Sequence, residues 1–412
     1  MSVFRPFSAV RPKKEYAKDV AALPYDVMNS HEARQMVEGK PYSFIHVDKA
    51  EVDLPCDTYL YSDEVYEKAA ENLRRLTDEG ICKKDSSPCF YIYRQVMGNI
   101  VQTGIVGAAG VDDYINNVIK KHEHTRADKE EDRIRHVDTC DANTGPIFLA
   151  YKENAVIKEI IADYVQKDPE YDFISDGDVK NTVWVVENKE DCLRISQAFS
   201  EIPSLYIADG HHRAASAVKV ALRRRETNPG YTGNEEFNFF LAVAFSADEL
   251  RIMDYNRLIK DKNSLSDEEL FEKLSVDFVV EKRNSAVSPV KRHTFGFYCS
   301  NEWYELTLKD GRCDENNVLE SLDVSVLQKY VISSIFGIED PRTDKRIDFV
   351  GGIRGLSELE KRCSEDMQVA FSMFPTSMGE LMSIADSGMV MPPKSTWFEP
   401  KLLSGLFIHE LK

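Results

Sequence analysis

The stretch that organises the chain is Ser204-Leu205-Tyr206-Ile207-Ala208-Asp209-Gly210-His211-His212-Arg213, continued by Ala214-Ala215-Ser216-Ala217-Val218. Leu205 to Ala208 read as a buried strand, because apolar residues follow one another without a polar interruption. Asp209-Gly210 reads as a turn. From His212 to Arg225 the chain is rich in alanine and long side chains and holds no breaker, which predicts a helix. A strand that runs through glycine into a helix start is an anion site in outline. The glycine lets the backbone approach a ligand, while unpaired N–H groups and the helix dipole favour phosphate. His211, His212 and Arg213 add donors at the same end. A plain helix start, with Asp209 as a capping residue beside two surface histidines, accounts for either half of the string. It accounts less well for the whole string set directly after an apolar strand.

Working outward, a second cluster lies at Lys120-Lys121-His122-Glu123-His124-Thr125-Arg126, followed by Lys129, Asp132, Arg133 and Arg135. A solvated helix face with paired charges accounts for Asp128 to Arg135, Glu130 and Glu131 included. It does not account for two histidines flanking one carboxylate next to a threonine and an arginine. That segment supplies base, hydroxyl and cation together.

The rest of the chain sets bounds. A length of 412 residues exceeds what one core organises and predicts two or three packed lobes. We expect an N-terminal α+β lobe at 1–110, the chemically loaded section at 111–261 and a C-terminal α+β lobe at 262–412. Extended pieces are expected at Val3 to Val10 and Ser43 to Val47, a helix from Asp63 to Gly80, and a hairpin around Gly98-Asn99. Further expectations are a helix from Asp113 to Lys121, a strand from Ile147 to Tyr151, and, in the last lobe, a helix from Val324 to Phe336. Lys394 to Lys401, after Pro392-Pro393, reads as an ordered loop with a Trp397 anchor. Strands and helices alternate without a regular β-α-β rhythm, so the expected fold class is α+β.

Composition excludes several partners. The net charge of -18 repels polyanions, which makes nucleic acid an unexpected partner, whereas a small anion needs only a few local cations. No segment is long and apolar enough for a membrane, and Met1 to Lys14 lacks the features of a secretory signal, so a cytoplasmic address is expected. Eight cysteines without a C-x-x-C pair disfavour a zinc ribbon or disulfide framework. G-x-G-x-x-G, G-x-x-x-x-G-K-[ST] and G-x-S-x-G are all absent, which removes the main support for Rossmann, P-loop and nucleophile-elbow readings. Asn143-Thr144-Gly145-Pro146 could form a second amide-rich turn near phosphates, although its simplest role is as a plain turn before the Ile147 strand.

The Asp209 to Arg213 string at a strand-to-helix junction resembles the signature of the ParB/sulfiredoxin superfamily. This version is similar to that of the free serine kinases, which phosphorylate L-serine to O-phosphoserine with ADP or ATP. Those enzymes carry an upstream His-Glu pair whose Glu deprotonates the serine hydroxyl, and His122-Glu123 matches it in type and order. The chain as a whole resembles a bacterial family catalogued as a domain of unknown function. The resemblance runs through Leu23-Pro24-Tyr25-Asp26-Val27, His46-Val47 with Glu51, Lys121 to Arg126, Tyr206 to Arg213, Tyr255-Asn256-Arg257 and Lys394 to Lys401. It implies a ParB/sulfiredoxin-like core elaborated by the two outer lobes, with an inserted lobe at about Ala150 to Ser200.

The resulting expectation is a small-molecule kinase. Arg213 and the amides from Gly210 to His212 would hold the phosphates of ATP or ADP, with Thr125, Arg126 and Arg133 nearby. His211 or His212 would neutralise charge on the transferring group, Glu123 would act as base next to His122, and Asp209 would orient substrate or hold Mg2+. Tyr25, Asp26 and His124 are expected along the substrate wall. L-serine is the acceptor the resemblance implies, and a homodimer is left open. Two rivals stand beside this reading. One is a metal-dependent hydrolase with His122, His124, His211 and His212 as ligands and Glu123 as base. The other is a non-catalytic module that senses a nucleotide.

Overall fold

A strand needs a partner on each side to bury its backbone, and the structure supplies one for nearly every strand around the Leu205 run. The computed structural model describes residues 2–412. Their contacts gather into two units, one of residues 2–250 with 400–412, the other Arg251–Glu399.

The first unit is built on a nine-stranded sheet. Its path runs Ile119–Lys120, Leu205–Asp209, Ile147–Tyr151, Phe239–Ser246, Ile100–Gly110, Phe90–Met97, Val179–Val186 and Tyr171–Ser175, and Phe4–Arg5 also pairs with Ile100–Gly110. Two pairs are parallel, Ile119–Lys120 with Leu205–Asp209 and Ile147–Tyr151 with Phe239–Ser246; the other pairs are antiparallel. The helices Ala155–Tyr164, Lys189–Glu201 and His211–Thr227 are amphipathic and bury Ile157, Ile160, Ile195, Phe199, Ala214 and Val218 with the sheet's Ile92, Ile105, Leu149, Ile207 and Phe240 in one core. The last residues return to this unit: His409–Glu410 pairs with Ala142–Asn143, and Ile408 bridges Val10.

The second unit holds a six-stranded antiparallel sheet, in the order Phe278–Arg283, Glu302–Leu308, Thr294–Cys299, Val369–Ser372, Tyr255–Ile259 and Ile347–Gly351. Its own core joins Leu270, Leu274, Phe295, Phe297, Leu327 and Phe371. The whole is a mixed α/β protein, with thirteen α-helices among the described residues. No helix of these residues is long and apolar enough to cross a membrane.

Several local expectations meet their element. The Asp63–Asp78 helix, the hairpin of Phe90–Met97 and Ile100–Gly110 about Gly98, and the Ile147–Tyr151 strand fall where the pattern put them. Others differ for identifiable reasons. Ser43 to Val47, read as extended, contains the start of a helical turn, Ile45–Asp48, because Phe44, Ile45 and Val47 all enter a core with Val20 and Leu76. An apolar run that short does not distinguish helix from strand. The helix expected over Asp113 to Lys121 is only Val111–Ile115; Asn117 then turns the chain at φ 58° and Ile119–Lys120 becomes a strand. Val324 to Phe336 divides into the α-helix Asp323–Leu327 and a wider π turn, Gln328–Ser333. The sections expected at 1–110 and 111–261 share one sheet, since Ile100–Gly110 pairs with both Phe90–Met97 and Phe239–Ser246. The segment near Ala150 to Ser200, expected as an inserted lobe, gives two strands to that same sheet.

Candidate functional site

In a parallel pair both strands end at the same edge, so the loops that follow them leave side by side. Leu205 pairs with Ile119 and Tyr206 with Lys120, in parallel. That register carries His122-Glu123 out of the sheet next to Asp209-Gly210-His211, although the two segments are far apart in sequence. Gly210 adopts φ +91°, a backbone conformation that side chains with a Cβ rarely take. A Cβ built there would lie 3.2 Å from Nε of Arg213 and 3.3 Å from its Cζ and Nη2. The guanidinium is thus folded back over the turn, where it also donates to the Pro146 carbonyl. Arg213 Nε is buried and has no hydrogen-bond partner among the described residues.

His122 and His211 are both buried, and their rings meet edge to face with centroids 4.5 Å apart. One ring nitrogen of each and a Glu123 carboxylate oxygen all lie within 4.8 Å of one another. Burial lowers the His122 imidazole to about 4, although a hydrogen bond with the Ile207 backbone and the Asp209 charge pull it upward. Burial also holds His211 well below its ordinary value, reinforced by His122. Both rings are therefore neutral at pH 7. His211 Nε2 is buried without a hydrogen-bond partner among the described residues.

Asp209 accepts from the Gly210 N–H on Oδ1 at 2.7 Å and from Lys401 Nζ on Oδ2 at 3.0 Å. Burial opposes its ionisation, but Lys401 and Arg213 hold its carboxyl below the usual carboxylate range. Beneath the turn lies a polar network. Thr144 donates to Asp48 at 2.9 Å, and its hydroxyl also lies 3.2 Å from His136 Nε2. Arg133 pairs with Asp132 at 2.9 Å and stacks its guanidinium 4.1 Å from the Tyr25 ring centre. Tyr25, Asp48, Arg133, Thr144, Arg213 and Ser404 are among the residues around a narrow cavity with about 20 Å³ of space for water centres. That is room for a water.

The structure brings His122, Glu123, Asp209, Gly210, His211 and Arg213 together, with Arg133 and Tyr25 alongside. It engages other expected residues elsewhere. His212 turns its Nε2 to accept the Arg126 N–H at 3.0 Å, Thr125 donates to Glu130 at 2.6 Å, and the exposed Arg126 pairs with Asp128 at 2.9 Å. His124 and Asp26 are exposed, and the Asp26 charge bears on Arg213 and His212. Of the four histidines considered as metal ligands, only His122 and His211 converge with Glu123. Sequence reasoning missed Lys401, Asp48 and Ser404. Lys401 lay at the end of an unusual loop, a signal that gave no hint of which section it would join.

The model of a family described as "Protein of unknown function (DUF1015)" matches residues 4–325. No curated protein matches the chain. Among solved structures, a free serine kinase in complex with AMP is similar at 14% identity, covering 72% of this chain and 86% of that one, with a TM-score of 0.35. A conserved hypothetical protein from Pyrococcus furiosus is 15% identical over 74% of this chain and 94% of that one, TM-score 0.35. SbnI with a C-terminal truncation, from Staphylococcus aureus, is 12% identical over 73% and 85%, TM-score 0.38.

Proposed function

The chain belongs to the DUF1015 family, and from the geometry of its own site we propose that it is a phosphotransferase, moving a phosphoryl group from ATP or ADP to the hydroxyl of a small molecule. The observation that carries this reading is the meeting of a carboxylate, Glu123, with the helix start at His211 across a parallel strand pair. Glycine at φ +91° leaves room at the turn, and Arg213 directs a buried, unpartnered Nε there. Phosphate fits both features, because first-turn N–H groups and a guanidinium bind it without a dedicated carboxylate.

His122 and His211 bind protons weakly, and Asp209 is held by Lys401 and the Gly210 N–H. We assign the base to Glu123, a carboxylate oxygen of which lies within 4.8 Å of a ring nitrogen of each buried histidine; it accepts the acceptor's hydroxyl proton as the γ- or β-phosphoryl group leaves its donor. The neutral imidazoles position that carboxylate, and Arg213 and Lys401 offset charge on the phosphates. Mg2+ fits poorly on Asp209, whose two oxygens already face an ammonium and an N–H, so no protein ligand for Mg2+ is assigned. The ParB/sulfiredoxin-like core and L-serine as acceptor follow from the motif resemblance and belong to the same proposal.

The test incubates the chain and Mg2+ with labelled ATP or ADP and a panel of amino acids and polyols. Glu123→Gln should lower kcat by roughly 10²–10⁴ while nucleotide affinity holds. Arg213→Ala should weaken the nucleotide itself. Equal loss of affinity in both variants, or no phosphorylated product from any acceptor, refutes the assignment.

A further inference from the structure

We infer that His122, Glu123 and His211 form a site for one borderline transition-metal dication, of the Zn2+, Co2+ or Ni2+ class, and that occupation of this site silences the base. The consequence for catalysis rests on the phosphotransferase reading; the metal site itself does not.

Two imidazoles and a carboxylate make the donor set that such ions prefer, with a fourth position left to water or ligand. The three donor atoms lie within 4.8 Å of one another, a spacing that small side-chain rotations convert into coordination at about 2.0–2.2 Å. The independent observation is His211 Nε2, a buried imidazole nitrogen with no hydrogen-bond partner among the described residues. Such an atom loses solvation and gains nothing from the protein alone. His122 adds the usual outer support, because its ring is hydrogen-bonded to the Ile207 backbone, and a histidine fixed through one nitrogen presents the other to a metal.

Charge nearby does not forbid the ion. Lys121 is the cation that bears on His211, and its ammonium lies 4.2 Å from the centre of the Tyr114 ring. Glu123 and Asp209 supply the opposing charge. Among the described residues one other cluster of this kind occurs, His293, Cys313 and Glu315. His293 contacts Glu315 at 3.3 Å and the Ser321 carbonyl at 3.0 Å, while the Cys313 thiol donates to the Glu320 carbonyl. A metal bound through Glu123 holds the lone pair that the hydroxyl proton would need, so the dication and the proton compete for one carboxylate.

The experiment uses the full chain, stripped with chelator and titrated with Zn2+ against a chromophoric competitor and with Co2+ by visible absorption. One site per chain is expected, with the intense bands of low-symmetry Co2+. Glu123→Gln, isosteric and only half-buried, should weaken Zn2+ at least ten-fold, as should His211→Gln, whereas His293→Gln should leave it unchanged. Absence of stoichiometric binding, or loss in His293→Gln with retention in Glu123→Gln, overturns the site. Phosphotransfer measured with one equivalent of Zn2+ separates the two claims. Transfer that continues undiminished overturns the silencing and leaves the phosphotransferase reading intact. Stoichiometric Zn2+ binding lost in Glu123→Gln, in a protein that phosphorylates nothing, supports the metal site and refutes the phosphotransferase.

Discussion

Gly210→Ala separates backbone strain from ligand binding, because Gly98→Ala imposes the first without the second. Gly210 sits at φ +91° with the Arg213 guanidinium 3.2–3.3 Å from an added Cβ, whereas Gly98 sits at φ +58° with nothing within 4 Å. Left-handed backbone costs a residue with a Cβ about 1–2 kcal/mol, offset by roughly 0.4–1 kcal/mol of freedom removed from the unfolded chain. Each variant should therefore lose about 1 kcal/mol, a fall of roughly 2–4 °C in the melting temperature of a unit this large. Only Gly210→Ala also displaces the guanidinium. Hydrogen bonds to charged groups contribute about 1.5–3 kcal/mol, so nucleotide affinity should fall ten-fold or more in that variant and stay at the wild-type value in Gly98→Ala. Thermal melts paired with calorimetric titration of ATP and ADP read both quantities. A Gly210→Ala protein that melts like Gly98→Ala and binds nucleotide equally well would show that Arg213 does not grip the phosphate, and the reasoning would fail.

Three further outcomes follow from the same geometry. Lys401→Met should destabilise the first unit by about 2–3 kcal/mol, since it strips one partner from a largely buried pair, and adding Asp209→Asn should restore much of that loss; simple additivity of the two changes, read from melts, would deny the coupling. Burial, reinforced by the Arg133 charge, lowers His136 from 6.5 to about 3. The folded state thus refuses a proton that the unfolded chain accepts, so this contribution is complete above pH 6.5 and declines by about 1.4 kcal/mol per pH unit below it. His136→Gln should flatten the fall in melting temperature between pH 6 and 4, and parallel curves for variant and wild type would contradict the assignment. Thr125→Val should cost about 1.5–3 kcal/mol through its lost bond to the Glu130 carboxylate and leave nucleotide affinity alone; a ten-fold weaker nucleotide would return Thr125 to the phosphate site.

What could be read from the sequence was local. The Leu205–Asp209 strand, the glycine turn and the His211–Thr227 helix each follow from residue choice within a short window, and so does the hairpin at Gly98. Over-reading came from the same locality. Successive residues on a helix point about 100° apart, so His211 and His212 cannot both face one ligand, and His212 turns instead to the Arg126 N–H. Thr125 looked chemically available because nothing in its window showed that Glu130 would take its hydroxyl. Asp48 lay just beyond Ser43 to Val47, the run expected as extended, and Lys401 and Ser404 were hidden by the return of the chain's end to the first unit. These are facts of long-range pairing, which no periodicity encodes.

On the proposed reading, the same pairing lets a chain of net charge -18 offer an anion site. Had Ile119–Lys120 and Leu205–Asp209 been antiparallel, the loops after them would have left opposite ends of the sheet, separating Glu123 from His211. Parallel pairing instead puts both loops at one edge. At physiological salt, charges beyond roughly 8 Å of water are largely screened, so acids on distant faces count for little there. What a phosphate at this edge meets is the local set: the first-turn N–H groups of the His211–Thr227 helix, Arg213 folded over Gly210, and Lys401 neutralised in part by Asp209. On the proposed reading a small anion feels that set alone, whereas a nucleic acid extending across the surface would meet the rest of the charge, so the composition disfavours the polymer without disfavouring the nucleotide.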